Sequence, residues 1–223
     1  MSDKKISFSQ YQMWKSCSHR WKLVYKDKVG IFTPNIAMLF GTVMHEVLQE
    51  YVKIIYDKSI VEANQLQLDD MLKNGLREQY KKLLTESNGN HFSNEKEMAE
   101  YYLDGVQILQ WFKAHRADFF QKKDYELVGI ETPINIIPLE THPTIRLVGF
   151  LDLVIKNTKT GEIYIYDFKT STNGWTKYAK NDKTKVSQLI LYKTYYANAC
   201  DGSAQNVLIY APANSATLTV GTA

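Results

Sequence analysis

The stretch Gly149-Phe-Leu-Asp152-Leu-Val-Ile155, followed by Ile163-Tyr-Ile-Tyr-Asp167-Phe-Lys169-Thr170, reads as two apolar strands with acidic ends. Asn157-Thr-Lys-Thr-Gly161 between them has the composition of a turn, so the pair forms a hairpin. Side chains alternate along a strand, which puts Asp167 and Lys169 on one face and turns Phe168 to the other. A carboxylate set among Leu151, Leu153 and Val154, or among Ile165, Tyr166 and Phe168, is costly unless it is paired, hydrogen-bonded or metal-bound. Two such groups brought together repel, and a cation between them removes the repulsion. Hard oxygen donors favour Mg²⁺ or Mn²⁺ over zinc. Taken singly, each aspartate reads more simply as a strand-end cap, and Lys169 as a surface lysine paired with Asp167. Together they make a divalent-metal site with a cationic helper, chemistry suited to phosphodiester cleavage.

Working outward from the hairpin, residues 7–28 read as one helix with Tyr11, Trp14, Cys17 and Trp21 at three- to four-residue spacing. Cys17 is expected there as a buried apolar residue. A second helix spans about 35–56, with Phe40, Val43, Val47, Leu48 and Tyr51 as its apolar stripe. Two more lie near 66–84 and 94–121, separated by the breaker Ser87-Asn-Gly-Asn90. The segment 60–122 is thus predicted to be a helical insertion that shapes or covers the site. Strands are expected over Tyr125–Ile137, Ile145–Lys156, Glu162–Thr170, Gln205–Tyr210 and Thr217–Val220, with a helix over 185–199. This order predicts one α/β domain over 1–223 with a mixed central sheet flanked by helices.

The composition is that of an ordinary soluble protein: 223 residues, 44% hydrophobic and 23% charged, with a net charge of only +3. A nucleic-acid partner would therefore need positive charge gathered locally. Such a cluster follows the second strand, where Lys177, Lys180, Lys183 and Lys185 are interleaved with Trp175 and Tyr178. It reads either as a DNA-contacting segment or as a solvated loop. Arg20, Lys22 and Lys26 form a second cationic cluster. Cys17 and Cys200 are the only cysteines, which excludes a disulfide framework and a four-cysteine metal cluster. The polar start and the lack of a long apolar run predict a cytoplasmic protein (host-cell cytoplasm if viral) with no membrane partner. No phosphate-binding G-x-x-x-x-G-K-[ST] loop occurs, so any helicase would be a separate protein.

On these residues the chain resembles the PD-(D/E)XK nuclease superfamily, in particular its RecB-like exonuclease branch. G-F-L-D152 and Y-D167-F-K169-T are similar to the family's central motifs. F40-G-T-V-M-H45-E is similar to the branch's helical G-x-x-x-H motif, and Q188-L-I-L-Y192 to its Q-x-x-x-Y motif. The segment from Ser7 to Leu23 resembles its opening helix. The resemblance implies a restriction-endonuclease-like core and metal ligation by His45, Asp152, Asp167 and the Phe168 carbonyl. It implies Asp152, Asp167 and Lys169 as the catalytic set, with Gln188 and Tyr192 facing DNA or bracing the site.

Gly41, His45, Leu48 and Val52 share one helical face, so on spacing alone His45 reads either as a buried, satisfied histidine or, beside the aspartates, as a ligand aimed at the metal. Glu131 lies on the preceding strand as a further possible carboxylate and stays outside the expected ligand set. The iron–sulfur variant of the branch is not expected, since only Cys200 follows Cys17. The implied activity is Mg²⁺- or Mn²⁺-dependent exonucleolytic hydrolysis of DNA in recombination, repair or replication, in company with a helicase or recombination protein. The alternatives are a structure-specific endonuclease and a non-catalytic DNA-binding or assembly protein on the same fold.

Overall fold

In a computed structural model of the protein, the described residues are 4–30, 33–136, 141–170, 187–188, 190–194, 196, 208–209 and 221–222. Strand β1 (Lys4–Ser7) leads into α1 (Phe8–Ser16) and α2 (Ser18–Trp21), followed by a π-helical turn over Lys22–Lys26. Then come α3 (Ile36–Asp57), α4 (Ile60–Gln65), α5 (Leu68–Glu86) and α6 (Glu95–His115). Strands β2 (Tyr125–Ile136), β3 (Ile145–Asn157) and β4 (Ile163–Tyr166) complete the main sheet. Leu208–Ile209 (β5) and Gly221–Thr222 (β6) pair antiparallel with each other. The architecture is α/β with a mixed four-stranded sheet flanked by helices, as expected for a restriction-endonuclease-like core.

β3 is the spine of the sheet. β2 runs antiparallel along one side of it, from Tyr125 opposite Asn157 to Ile136 opposite Leu147. The other side is shared by two short strands lying end to end. β1 pairs in parallel, from Lys4 opposite Ile145 to Ser7 opposite Val148. β4 pairs antiparallel, from Ile163 opposite Lys156 to Tyr166 opposite Leu153. Both run toward each other and leave the sheet at the stretch 149–152. Such a split, where neighbouring chains diverge, opens a crevice beside the strand. Pro133 sits inside β2 opposite Phe150. An outer strand tolerates the missing amide proton there.

α3 is the central helix. The Asn35 side chain caps it by accepting the Met38 N–H at 2.9 Å. Its stripe Leu39, Phe40, Val43, Met44, Val47, Leu48, Tyr51, Val52 and Ile55 is buried throughout. That wide stripe packs against α5 and α6 and against the sheet residues Leu153, Ile155, Tyr166 and Phe168 in one core. A smaller core on the other sheet face joins Ile134, Leu151, Val154, Ile163 and Ile165 to Tyr192.

Three expectations need correction. The first helix ends at Ser16, because Cys17 adopts an extended conformation (φ −160°, ψ 101°) and caps α2, its Sγ accepting the Arg20 N–H. Cys17 is exposed, not buried, as are Tyr11 and Trp14. The second hairpin strand stops at Tyr166, so Asp167 and Lys169 lie just beyond the ladder. β1 and α4 escaped the sequence reading, being too short to show a period. Of the helix expected over 185–199, residues 187–188, 190–194 and 196 are described and helical; of the strands expected over 205–210 and 217–220, only Leu208–Ile209 fall among the described residues, as β5.

Gly105 of α6 marks a close approach of that helix to α3 and α5. A Cβ built there would lie 2.5 Å from Leu72 Cδ2 and 3.0 Å from Phe40 Cε2. Gly105→Ala is therefore expected to cost about 1–3 kcal/mol through overpacking, measured by urea denaturation.

Candidate active site

The crevice at 149–152 gathers groups from four elements. Asp152 lies on β3 within the crevice, and Asp167, Phe168 and Lys169 follow directly from β4. The Phe168 N–H donates to Asp152 Oδ2 at 2.7 Å. Lys169 Nζ lies 2.7 Å from Asp167 Oδ1 and 2.6 Å from Oδ2, so the ammonium straddles the carboxylate. Asp167 is 5% exposed and Phe168 is fully buried, its ring turned into the core against Phe112. The two sides of this triplet thus point oppositely, as in a strand.

α3 brings His45 over the crevice. Its Nδ1 lies 3.4 Å from Asp152 Oδ2, and its ring stands edge-on to Phe168 with centroids 6.0 Å apart. Burial and the nearby Lys169 ammonium lower the His45 pKa, against the opposing pull of Asp167, the Phe168 main chain and Glu131. The imidazole is therefore neutral at pH 7, and its contact with Asp152 is polar, not an ion pair. A neutral ring retains a lone pair for a metal.

Glu131 enters this group although it was left outside the expected ligand set. Ligand atoms of His45, Glu131 and Asp152 all lie within 4.8 Å of one another. The approach depends on a local break in the sheet. β2 shifts register between Leu127 and Gly129 relative to β3, and Glu131 takes a left-handed backbone, φ 48°. Alternation on β3 slips at the same level: Leu151 packs in the smaller core, whereas Leu153 and Ile155 pack in the larger. The signal available in sequence was only positional, since hairpin counting sets Glu131 opposite Asp152. The bulge itself had none.

Gln49, one helical turn beyond His45, braces this arrangement. Its side chain is 7% exposed. The amide donates to Glu131 Oε1 at 2.6 Å and to the Asp152 carbonyl at 3.2 Å. It ties β2 and β3 together where their own ladder is interrupted.

Gln188 and Tyr192 sit on the helical residues beyond the crevice. Gln188 Nε2 donates to Tyr192 Oη at 2.9 Å. Tyr192 is buried over Gly149, where a built Cβ would lie 3.4 Å from the hydroxyl. Burial raises the Tyr192 pKa, so the phenol keeps its proton. Trp175, Lys177, Tyr178 and Lys180 lie outside the described residues. Glu46 is exposed on α3 and accepts from Gln79 at 3.4 Å.

The donor set fits a hard divalent cation. Asp152 has its pKa raised from 3.8 to about 7, by burial first and by Asp167 second, with the Phe168 amide and Lys169 opposing. A carboxyl so crowded gains from a neighbouring positive charge. Carboxylate oxygens with one neutral imidazole are a donor set that could hold a divalent metal ion. Among the described residues, no helix is long and apolar enough to cross a membrane.

The titration of Asp152 has a measurable sign. Its folded pKa exceeds its unfolded one, so stability from the protonated form is complete below about 4 and is lost as pH rises through about 7. In the metal-free protein, Asp152→Asn should raise the melting temperature by several degrees at pH 8 and hardly at all at pH 4. Thermal unfolding followed by circular dichroism measures this. Cation affinity should run the other way, falling as pH drops below about 7 because protons compete for the same oxygens. Calorimetric titration with Mn²⁺ checks it.

A family model described as the PD-(D/E)XK nuclease superfamily matches residues 5–219. No curated protein matches the chain.

Proposed function

The chain belongs to the PD-(D/E)XK nuclease superfamily, and from that premise we propose that it is a DNA exonuclease of the RecB-like branch, dependent on Mg²⁺ or Mn²⁺. The observation that carries the proposal is the meeting of Asp152, Asp167 and Lys169 at one break in the sheet, with His45 above them. The ligands of the cation would be His45, Asp152, Asp167 and the Phe168 carbonyl, with Glu131 as an added carboxylate. When bound, the cation supplies Lewis acidity toward a phosphodiester oxygen and toward the attacking water.

The chain's own groups do the remaining work. Lys169 is a third exposed at its side chain, so its ammonium is able to turn from Asp167 toward a phosphate or water in the crevice. There it orients the nucleophile and offsets negative charge developing on the scissile phosphate. The Phe168 amide fixes one oxygen of Asp152, and Gln49 fixes one of Glu131. Both carboxylates are thereby oriented before any ligand arrives. Gln188 and Tyr192 brace the crevice floor at Gly149 or face the strand. Residues 175–180 follow directly from this site, and their lysines and aromatics suit a threaded strand, phosphates on cations and bases on rings. Residues 60–122 act as a helical insertion backing α3, and the resemblance implies work beside a separate helicase or recombination protein.

The test is hydrolysis of end-labelled DNA, linear and circular, single- and double-stranded, with Mg²⁺ or Mn²⁺. Linear substrates should be degraded and closed circles spared. Equal cleavage of circles would assign an endonuclease instead. Asp167→Asn and Lys169→Ala should each lower the rate by at least about 10²-fold. A Lys169→Ala protein as active as wild type would refute the catalytic assignment.

A further inference from the structure

The N-terminal segment is charged and exposed in a way the crevice chemistry does not use. Residues 4–28 carry six lysines and Arg20 against Asp27 alone, a net +6. The whole chain carries +3, so the remaining residues carry −3. This one segment thus carries twice the net charge of the whole chain. Lys22 is spent on Asp27 at 3.4 Å. Among the described residues, no carboxylate pairs with Lys15, Arg20 or Lys26.

The aromatic residues of α1 share this exposure. Tyr11, Trp14 and Lys15 fall at i, i+3 and i+4, hence on one helical face. Tyr11 is 41% exposed and Trp14 54%, while Phe8 is the one residue of α1 that is buried. An apolar ring that finds no core in a folded chain is unusual when a second one lies beside it. Cation and ring on one face match an unstacked nucleotide, whose phosphate and base they meet separately.

The segment is also in the right place. β1 runs parallel to β3 and ends with Ser7 opposite Val148, so α1 begins at the crevice mouth. Asp152 lies four residues further along β3, about 13 Å at the rise of a strand. A strand crossing the α1 face would need only two or three nucleotides to reach the carboxylates.

We infer that the exposed face of α1, with Tyr11, Trp14 and Lys15, and the cations Arg20 and Lys26 beyond it, is a stacking platform for single-stranded nucleic acid entering the crevice. The inference rests on the nuclease reading of the crevice, but it concerns binding and is separable from cleavage. The full-length double variant Trp14→Ala, Lys15→Glu alters only exposed side chains and should keep the wild-type melting temperature. Its affinity for a fluorescein-labelled oligothymidylate, measured by anisotropy in Ca²⁺, should fall by about tenfold or more. The dependence of that affinity on salt should flatten by about one ion. Its hydrolysis of bis(p-nitrophenyl) phosphate in Mn²⁺, which is too small to span the platform, should be unchanged.

Unchanged oligonucleotide affinity and salt dependence would overturn the inference. So would loss of self-association by the variant in sedimentation with oligonucleotide binding intact, which would assign the face to a second copy of the chain. Platform-dependent binding by a wild-type protein that cleaves nothing would sink the nuclease reading and leave the platform standing.

Discussion

The hydrogen bond from the Phe168 amide to Asp152 Oδ2 holds the site to the fold. β4 has by then left the ladder, and among the described residues its pairing with β3 ends at Tyr166. Phe168 constrains the chain beyond it with both of its halves. Its amide grips the carboxylate, and its ring is sealed into the core beneath α6. The flanking Asp167 and Lys169 are thus carried into the crevice by a residue anchored on the opposite side. An ion pair held this way is far better defined than one between two free surface side chains.

A second constraint comes from the helices. α3 faces the sheet with the side that bears His45 and Gln49, and α5 and α6 press it there from behind. Burying that wide stripe fixes the rotation of α3, and with it the direction of both polar side chains. Gly105 permits the close approach of α6. Packing energy remote from the crevice is in this sense what aims the imidazole.

Much of this was legible in the chain. The apolar runs on either side of Asn157–Gly161 define the hairpin, and period-two alternation separates Asp167 and Lys169 from Phe168. The helical repeat of Phe40, Val43, Val47 and Tyr51 gives α3, and with it the place of His45. What escaped is what pattern does not encode. β1 has four residues, too few to show alternation. The break at Cys17 is a matter of backbone angles. Tyr11 and Trp14 carry a helical spacing that ordinarily means burial, and here it points outward, because spacing fixes which residues share a face and not what covers it. Glu131 was visible as a carboxylate on the preceding strand, but its approach to Asp152 and His45 was not, because a bulge changes the face of a residue without changing its neighbours in sequence.

The backbone of Glu131 carries a further consequence. At φ 48° a side chain is disfavoured and glycine or asparagine fits better. The most direct route to a sturdier sheet therefore runs through a substitution that deletes a carboxylate from the crevice. Screens that select variants for heat resistance alone would drift toward that change and return proteins that fold better but lack one carboxylate of the His45, Glu131 and Asp152 group. Robustness and competence are opposed at this one position, and a thermostabilised form of this chain would have to take its gain elsewhere.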